Sequence, residues 1–189
     1  FAKNIKTVLE KNKLDGIDLD FEWAENEKEY KDYSLAILKM REVLGDKYLF
    51  SVSLHPVCYK ISKEAIEAVD FISLQCYGPS PVRFPIEKYC SDIQMVLEYG
   101  IPKEKLVAGV PFYGVTKDNS KKTEAYFNFV QNGLVTSPAQ NEVIYQGDTY
   151  VFDGQDNIRI KTRYAKEQKL KGMMSWDLAT DLPLSDSRS

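Results

Sequence analysis

The segment DGIDLDFE, Asp15 to Glu22, sets carboxylates at every second position from Asp18 onward. Side chains on a strand alternate between its faces, so Asp18, Asp20 and Glu22 share one face while Ile17, Leu19 and Phe21 share the other. The apolar face can pack beneath helices, which leaves the acidic face pointing into an interior space. Aspartate is disfavoured in strands. Carboxylates about 6–7 Å apart on one strand also repel each other, and at least one is expected to hold its proton near neutral pH. A carboxylic acid kept protonated is what general-acid catalysis uses. Two blander readings compete. A solvated edge strand would tolerate the charges, but Ile17, Leu19 and Phe21 argue for burial. A hard cation would suit clustered oxygens, but the calcium-loop spacing with its central glycine is absent. The pattern favours catalysis.

Short apolar runs alternate with longer amphipathic stretches along the chain. The pattern predicts a helix over 1–11, a strand over 14–23 and a helix over 27–44 that stops at Gly45. A strand over 48–56 follows, then a short helix over 62–69 with Ser62 as its N-cap, and a strand over 70–78. A helix over 86–99 ends at Gly100, with Pro102 beyond it, and a strand over 105–114 comes next. The stretch 116–156 reads as an elaborated loop with a small hairpin near 142–152, within a single domain over 1–189. A helix over 157–169 and a strand over 172–176 complete the pattern. Strands alternating with helices imply a parallel sheet of βα units. At roughly 31 residues per unit of a (β/α)8 barrel, this length holds about five strands. A doubly wound open sheet is the runner-up, but it needs a glycine-rich phosphate loop after its first strand, and none is present.

Composition narrows the function classes. The net charge is −3 with no basic run, so no nucleic-acid partner is expected. No apolar stretch reaches about 18 residues, so no membrane span is expected. The opening residues, FAKNIKTVLEKNK, lack the apolar core of a signal peptide, although a secreted protein could still contain this chain. Cys58, Cys76 and Cys90 are too few and odd in number for a disulfide scaffold. With His55 the single histidine and no C-x-x-C pair, neither a metal site nor a cofactor is expected.

The acidic strand resembles the signature of glycoside hydrolase family 18, the chitinases and their relatives. That signature is D-G-x-D-x-D-x-E, and Asp15, Gly16, Asp18, Asp20 and Glu22 fill its fixed positions. The resemblance continues in order along nearly all of the chain. YLFSVSLHP resembles the fifth barrel strand, and DFISLQCYG the sixth, with Gln75 and Tyr77 in the plant-type pattern. Gly78 departs from the Asp or Asn usual there. KLVAGVPFYG resembles the seventh strand with its G-x-P-x-Y-G pattern, and NIRIKTRYAKEQKLKGMMSWDLATD the seventh helix and the eighth strand, which ends in tryptophan. The resemblance implies a (β/α)8 TIM barrel represented here by strands four to eight, a fragment without strands one to three and the last helix.

The resemblance also implies retaining hydrolysis assisted by the substrate's own N-acetyl group. Glu22 would be the acid and then the base, Asp20 would hold the acetamido N–H, and Asp18 would share a proton or hydrogen bond with Asp20. Tyr77, with help from Gln75, would hold the acetamido oxygen. Trp176 would form the floor beneath the distorted sugar, against the alternative of a core tryptophan closing the barrel. Tyr113 and Trp23 are candidate cleft residues, His55 reads as structural, and Cys58 and Cys76 as buried thiols. The expected substrate is chitin or a chito-oligosaccharide with β-1,4-linked N-acetylglucosamine. The alternatives are an endo-β-N-acetylglucosaminidase, a peptidoglycan hydrolase or a non-catalytic chitin-binding lectin. A monomer acting in a secreted, periplasmic or cell-surface setting is expected.

Overall fold

A computed structural model of the protein describes residues 1–183, 185, 186 and 188. In chain order the elements are α1 (Ala2–Asn12), β1 (Gly16–Asp20), α2 (Glu27–Leu44), β2 (Leu49–Leu54), α3 (Lys63–Ala68), β3 (Phe71–Leu74), α4 (Ile86–Tyr99) and β4 (Leu106–Pro111). They continue with β5 (Tyr113–Thr116), β6 (Thr123–Ala125), α5 (Tyr126–Gln131), β7 (Glu142–Tyr145), β8 (Asp148–Val151), α6 (Gln155–Glu167) and β9 (Gly172–Trp176).

The five strands expected from alternation form one parallel sheet in the order β1-β2-β3-β4-β9. This is an α/β fold with all five strand C-termini at one end. The sheet is open among the described residues, with β1 and β9 at its edges. Gly16 is required where β1 begins, because a Cβ there would stand 2.2 Å from the Leu49 carbonyl oxygen. Ile17 and Leu19 pack against the main core, which Phe50, Val52, Ile72, Leu74, Leu106 and Ala108 build from the neighbouring strands. Local signals set the helix ends. The Asn26 side chain caps α2 by accepting from the Glu29 N–H, Ser62 caps α3 as expected, and Gly100 ends α4 at a left-handed φ of +113°.

Four expected strands are shorter than alternation suggested, β2 only by its ends (Leu49–Leu54). β1 leaves the ladder after Asp20, so Glu22 stands beyond its C-terminal end. Phe21 is not packed beneath the helices. Past the ladder it is 45% exposed and tilts against Tyr33, ring centroids 5.2 Å apart. The third strand stops at Leu74, and Gln75, Cys76 and Tyr77 run on as buried chain outside it, with the Gln75 N–H still donating to the Leu54 carbonyl at 2.8 Å. The fourth breaks at Phe112. There the chain leaves the parallel sheet, and Tyr113 starts a strand of a different sheet.

That second sheet occupies the stretch expected as an elaborated loop. It is antiparallel, four strands in the order β6-β5-β8-β7. The anticipated hairpin is its β7–β8 pair, turned by Gln146 and Gly147, both at positive φ, as a two-residue hairpin turn demands. Helix α5 supplies Phe129, fully buried, around which Val115, Tyr150 and Phe152 gather in an apolar cluster of their own. A Cβ on Gly114 would lie 2.7 Å from the Phe129 ring, so β5 can approach α5 only with glycine there.

Two buried ion pairs tie these layers together. The Lys161 ammonium on α6 meets the Asp153 carboxylate just after β8 at 2.6 Å, with neither side chain exposed. Burial pushes Asp153 up from the usual carboxylate range, while Lys161 and the Asn157 amide pull it back. The Lys161 ammonium also faces the Phe84 and Tyr89 rings at 6.0 and 5.3 Å. Nearer the strand ends, Arg83 binds Asp92 of α4 at 2.8 Å, and Lys88 also binds that carboxylate. This anchors the loop that follows Tyr77.

Candidate active site

The C-terminal ends of β1, β2, β3, β4 and β9 converge on a pocket of about 250 Å³. Asp20, Glu22, Trp23, Gln75, Tyr77, Tyr113 and Trp176 line it, together with His55, Gly78 and Pro79. Strand alternation sends Asp20 into this space, and Glu22 enters it from the chain just beyond β1. The exit of β4 at Phe112 brings in Tyr113, and the end of β9 brings in Trp176. The pocket runs into a second hollow of about 340 Å³, shared by Pro79, Tyr113 and Trp176 and continued by Thr123, Glu124, Ala125, Asp177 and Thr180. The antiparallel sheet thus forms one wall of an elongated cleft. A larger hollow of about 410 Å³ opens between α6 and β9, but it holds none of the motif carboxylates. The motif carboxylates therefore make the smaller pocket the candidate site.

Asp18 lies one step back from the pocket. Its Oδ1 accepts from the Ser51 hydroxyl at 2.5 Å and its Oδ2 from the Ser53 hydroxyl at 2.7 Å. The register that pairs Asp18 with Ser51 and Asp20 with Ser53 makes this possible. Charge-assisted hydrogen bonds of this kind are the strong ones. Asp20 receives two long contacts from the Gln75 amide, 3.4 and 3.5 Å. Burial, then the charges of Glu22 and Asp18, push the Asp20 carboxyl above the usual range, and the Gln75 amide partly offsets them. Glu22 Oε2 accepts from the Trp23 indole N–H at 3.2 Å.

The aromatic walls are set by sulfur and ring contacts. The Tyr77 hydroxyl donates to Met174 Sδ at 3.6 Å, and its ring meets Tyr113 edge-on at 6.4 Å. Burial raises both phenols, Tyr113 to about 12, so they act as neutral hydrogen-bond donors. Trp176 is 55% exposed at the end of β9, an edge strand of the sheet. His55, read from sequence as structural, is buried in the pocket wall against Trp23. Cys58 and Cys76 are buried free thiols.

Ser51, Ser53 and Met174 did not stand out in the sequence. The two serines had a signal: Ser51, Ser53 and His55 alternate along their strand as Asp18, Asp20 and Glu22 do along theirs. Met174 had none.

The family profile described as "Glycosyl hydrolases family 18" matches residues 1–181. The chain belongs to glycoside hydrolase family 18. Among family 18 relatives, it is 23% identical over 245 residues to "Probable chitinase 2" of Drosophila melanogaster, covering 96% of this chain and 50% of that protein. The crystal structure of a family 18 chitinase from the chitin utilization locus of Flavobacterium johnsoniae superposes with a TM-score of 0.78 at 29% identity, over 96% of this chain and 60% of that one. A plant class V chitinase mutant from Cycas revoluta, solved with (GlcNAc)3, shares the fold at a TM-score of 0.79 and 17% identity, over 96% of this chain and 68% of that one. The family 18 chain spans about half the length of the curated relative it matches.

Proposed function

We propose that this chain carries the acid/base site of a glycoside hydrolase that cleaves β-1,4-linked N-acetylglucosamine glycans, chitin or its oligosaccharides. The observation that carries the reading is the convergence of Asp20, Glu22, Tyr77 and Trp176 on one pocket, with Asp18 held behind them. The Cycas revoluta chitinase with its bound N-acetylglucosamine trimer supports the same substrate class.

In this reading the reaction is retaining and substrate-assisted. Glu22 gives its proton to the departing glycosidic oxygen. The acetamido carbonyl oxygen of the same sugar attacks the anomeric carbon as the glycosidic bond breaks, giving an oxazolinium intermediate. Asp20 accepts from the acetamido N–H and offsets the positive charge. Asp18, fixed by two serines, keeps Asp20 in an anionic neighbourhood. Tyr77 donates to the acetamido oxygen, and Gln75 steadies Asp20. Glu22 then takes a proton from the incoming water. Trp176 offers an exposed ring on which a pyranose face can pack, and Tyr113 and Trp23 shape the walls. A polymeric substrate of this kind is met outside the cytoplasm, so a secreted, periplasmic or cell-surface monomer belongs to the same reading. No helix among the described residues is long and apolar enough to cross a membrane.

The test is chromophore release from aryl glycosides of chitobiose and chitotriose by the full chain and by Glu22→Gln. Loss of turnover by about a hundredfold or more, with sugar binding retained, is expected. Near-normal turnover in Glu22→Gln would sink the mechanism. A lectin would bind the sugars without turnover in either form. Release from N-glycans or peptidoglycan, but not from chitin oligomers, would move the substrate to those glycans.

A further inference from the structure

The chain's single histidine connects three strand ends. His55 stands just beyond β2. Its Nδ1 accepts from the Val57 N–H at 3.2 Å, so that nitrogen carries no proton. The ring proton of the neutral imidazole is then on Nε2, which donates to the Tyr77 carbonyl oxygen at 3.1 Å beyond β3. The ring lies tilted against the Trp23 indole beyond β1, centroids 4.2 Å apart and planes at 59°. Trp23 in turn donates from Nε1 to Glu22 Oε2. On the remaining side, a Cβ at Gly78 would sit 3.7 Å from His55 Nε2, so the backbone after Tyr77 closes against the ring.

Both nitrogens are thus spent on backbone groups, and neither is free to contact a substrate. Burial, helped by the Arg83 charge, lowers the imidazole pKa to about 4, so the neutral tautomer that makes both bonds persists at neutral pH. A histidine serving the core alone would have no reason to bond with the immediate neighbourhood of two site residues on other strands.

We propose that His55 is a positioning residue. Its ring braces Trp23, whose indole N–H holds the Glu22 carboxyl, while its Nε2–H fixes the backbone that presents Tyr77. One side chain thereby sets the spacing between the proton donor and the group that holds the acetamido oxygen. The inference rests on Glu22 being the proton donor, and it adds a residue that the acid/base scheme does not use. Displacements of about 1 Å at a reacting centre are enough to cost rate while binding survives.

The experiment measures kcat and KM on the chitotriose aryl glycoside for the full chain, His55→Ala and His55→Phe. Near-ultraviolet circular dichroism of the same His55 variants is read in a Trp176→Phe background, where Trp23 is the sole indole. His55→Ala is expected to lower kcat about tenfold with KM changed less than about twofold, and to flatten the Trp23 band. His55→Phe keeps a ring against Trp23 but loses the bond to the Tyr77 carbonyl, so it is expected to retain the band and to recover only part of the kcat lost in His55→Ala. An unchanged band and unchanged kcat in His55→Ala overturn the proposal. So does a fall in kcat that merely tracks loss of folded protein and that His55→Phe does not relieve. The Trp23 band is readable whether or not the glycoside is turned over. Glu22→Gln run alongside separates the two ideas. Normal turnover there removes Glu22 as donor, and the band alone then judges the His55 brace.

Discussion

Removing the Lys161 ammonium should unseat the joint between the two sheets. In Lys161→Met the Asp153 carboxyl, buried in full beside it at 2.6 Å, loses its neighbouring cation and keeps the Asn157 amide as a donor. Breaking one partner out of a buried pair costs about 3–5 kcal/mol, because the other charge is left uncompensated. For a chain of this size each kcal/mol is worth about 2–4 °C, so the melting temperature should fall by about 6–20 °C. The sign of the pH dependence follows from Asp153. Its folded pKa is already raised by burial, and losing Lys161, the main influence pulling it down, raises it further. A group of this kind contributes stability below its unfolded pKa and loses it as pH rises through the folded value. The cost should therefore be largest at about pH 8 and shrink toward about pH 5. Asp153→Asn added to Lys161→Met should cost less than the two single changes summed, because it removes the stranded charge. The assay is thermal unfolding followed by circular dichroism at both pH values, for the two singles and the double. A loss below about 1 kcal/mol in Lys161→Met, or strict additivity in the double, would refute the reasoning.

Two further outcomes follow from the carboxylate row. Ser51→Ala should destabilise by about 1.5–3 kcal/mol in chemical denaturation, and Ser53→Ala by less, because both bond Asp18 but only Ser51 is buried. Equal costs would count against the account of Asp18. Asp20→Asn should abolish turnover yet melt higher than the parent at neutral pH. The Asp20 pKa is raised in the fold, so its penalty grows as pH climbs from the unfolded value through the folded one, and the gain should vanish near pH 4. A gap that widens toward acid pH would contradict this sign.

Much of the fold was legible because parallel strands announce themselves. FISL and LVAGVP are continuous apolar runs between amphipathic helices, and Asn26, Ser62 and Gly100 mark helix ends by local hydrogen bonding. The antiparallel sheet was legible only at its β7–β8 hairpin. β5 and β6 run for four and three residues, too short for alternation to show, and they are held by Phe129 from elsewhere in the chain. The same division holds at the site. The carboxylates were readable because their spacing is local, and Trp176 because it ends a strand. The serines behind Asp18 needed a register between two strands, and the contacts of His55 with Trp23 and the Tyr77 carbonyl needed three strand ends to meet. No single stretch of sequence contains either.

Strand β4 ends at Pro111 and its neighbour β9 begins at Gly172, with the whole antiparallel sheet and α6 between them. Joining β4 to β9 therefore closes a chain segment roughly twice as long as the longest separating the other neighbouring strands. Yet each doubling of a flexible loop adds only about 0.6 kcal/mol of closure entropy. The insertion lowers even that, because Phe129 and its partners shorten the effective loop once they have collapsed on themselves. The cleft wall behaves as a self-supporting cassette spliced between two strands. It can lengthen, shorten or change shape at little thermodynamic expense to the sheet that carries the carboxylates. The shape of that wall can therefore change while the acid row stays in register.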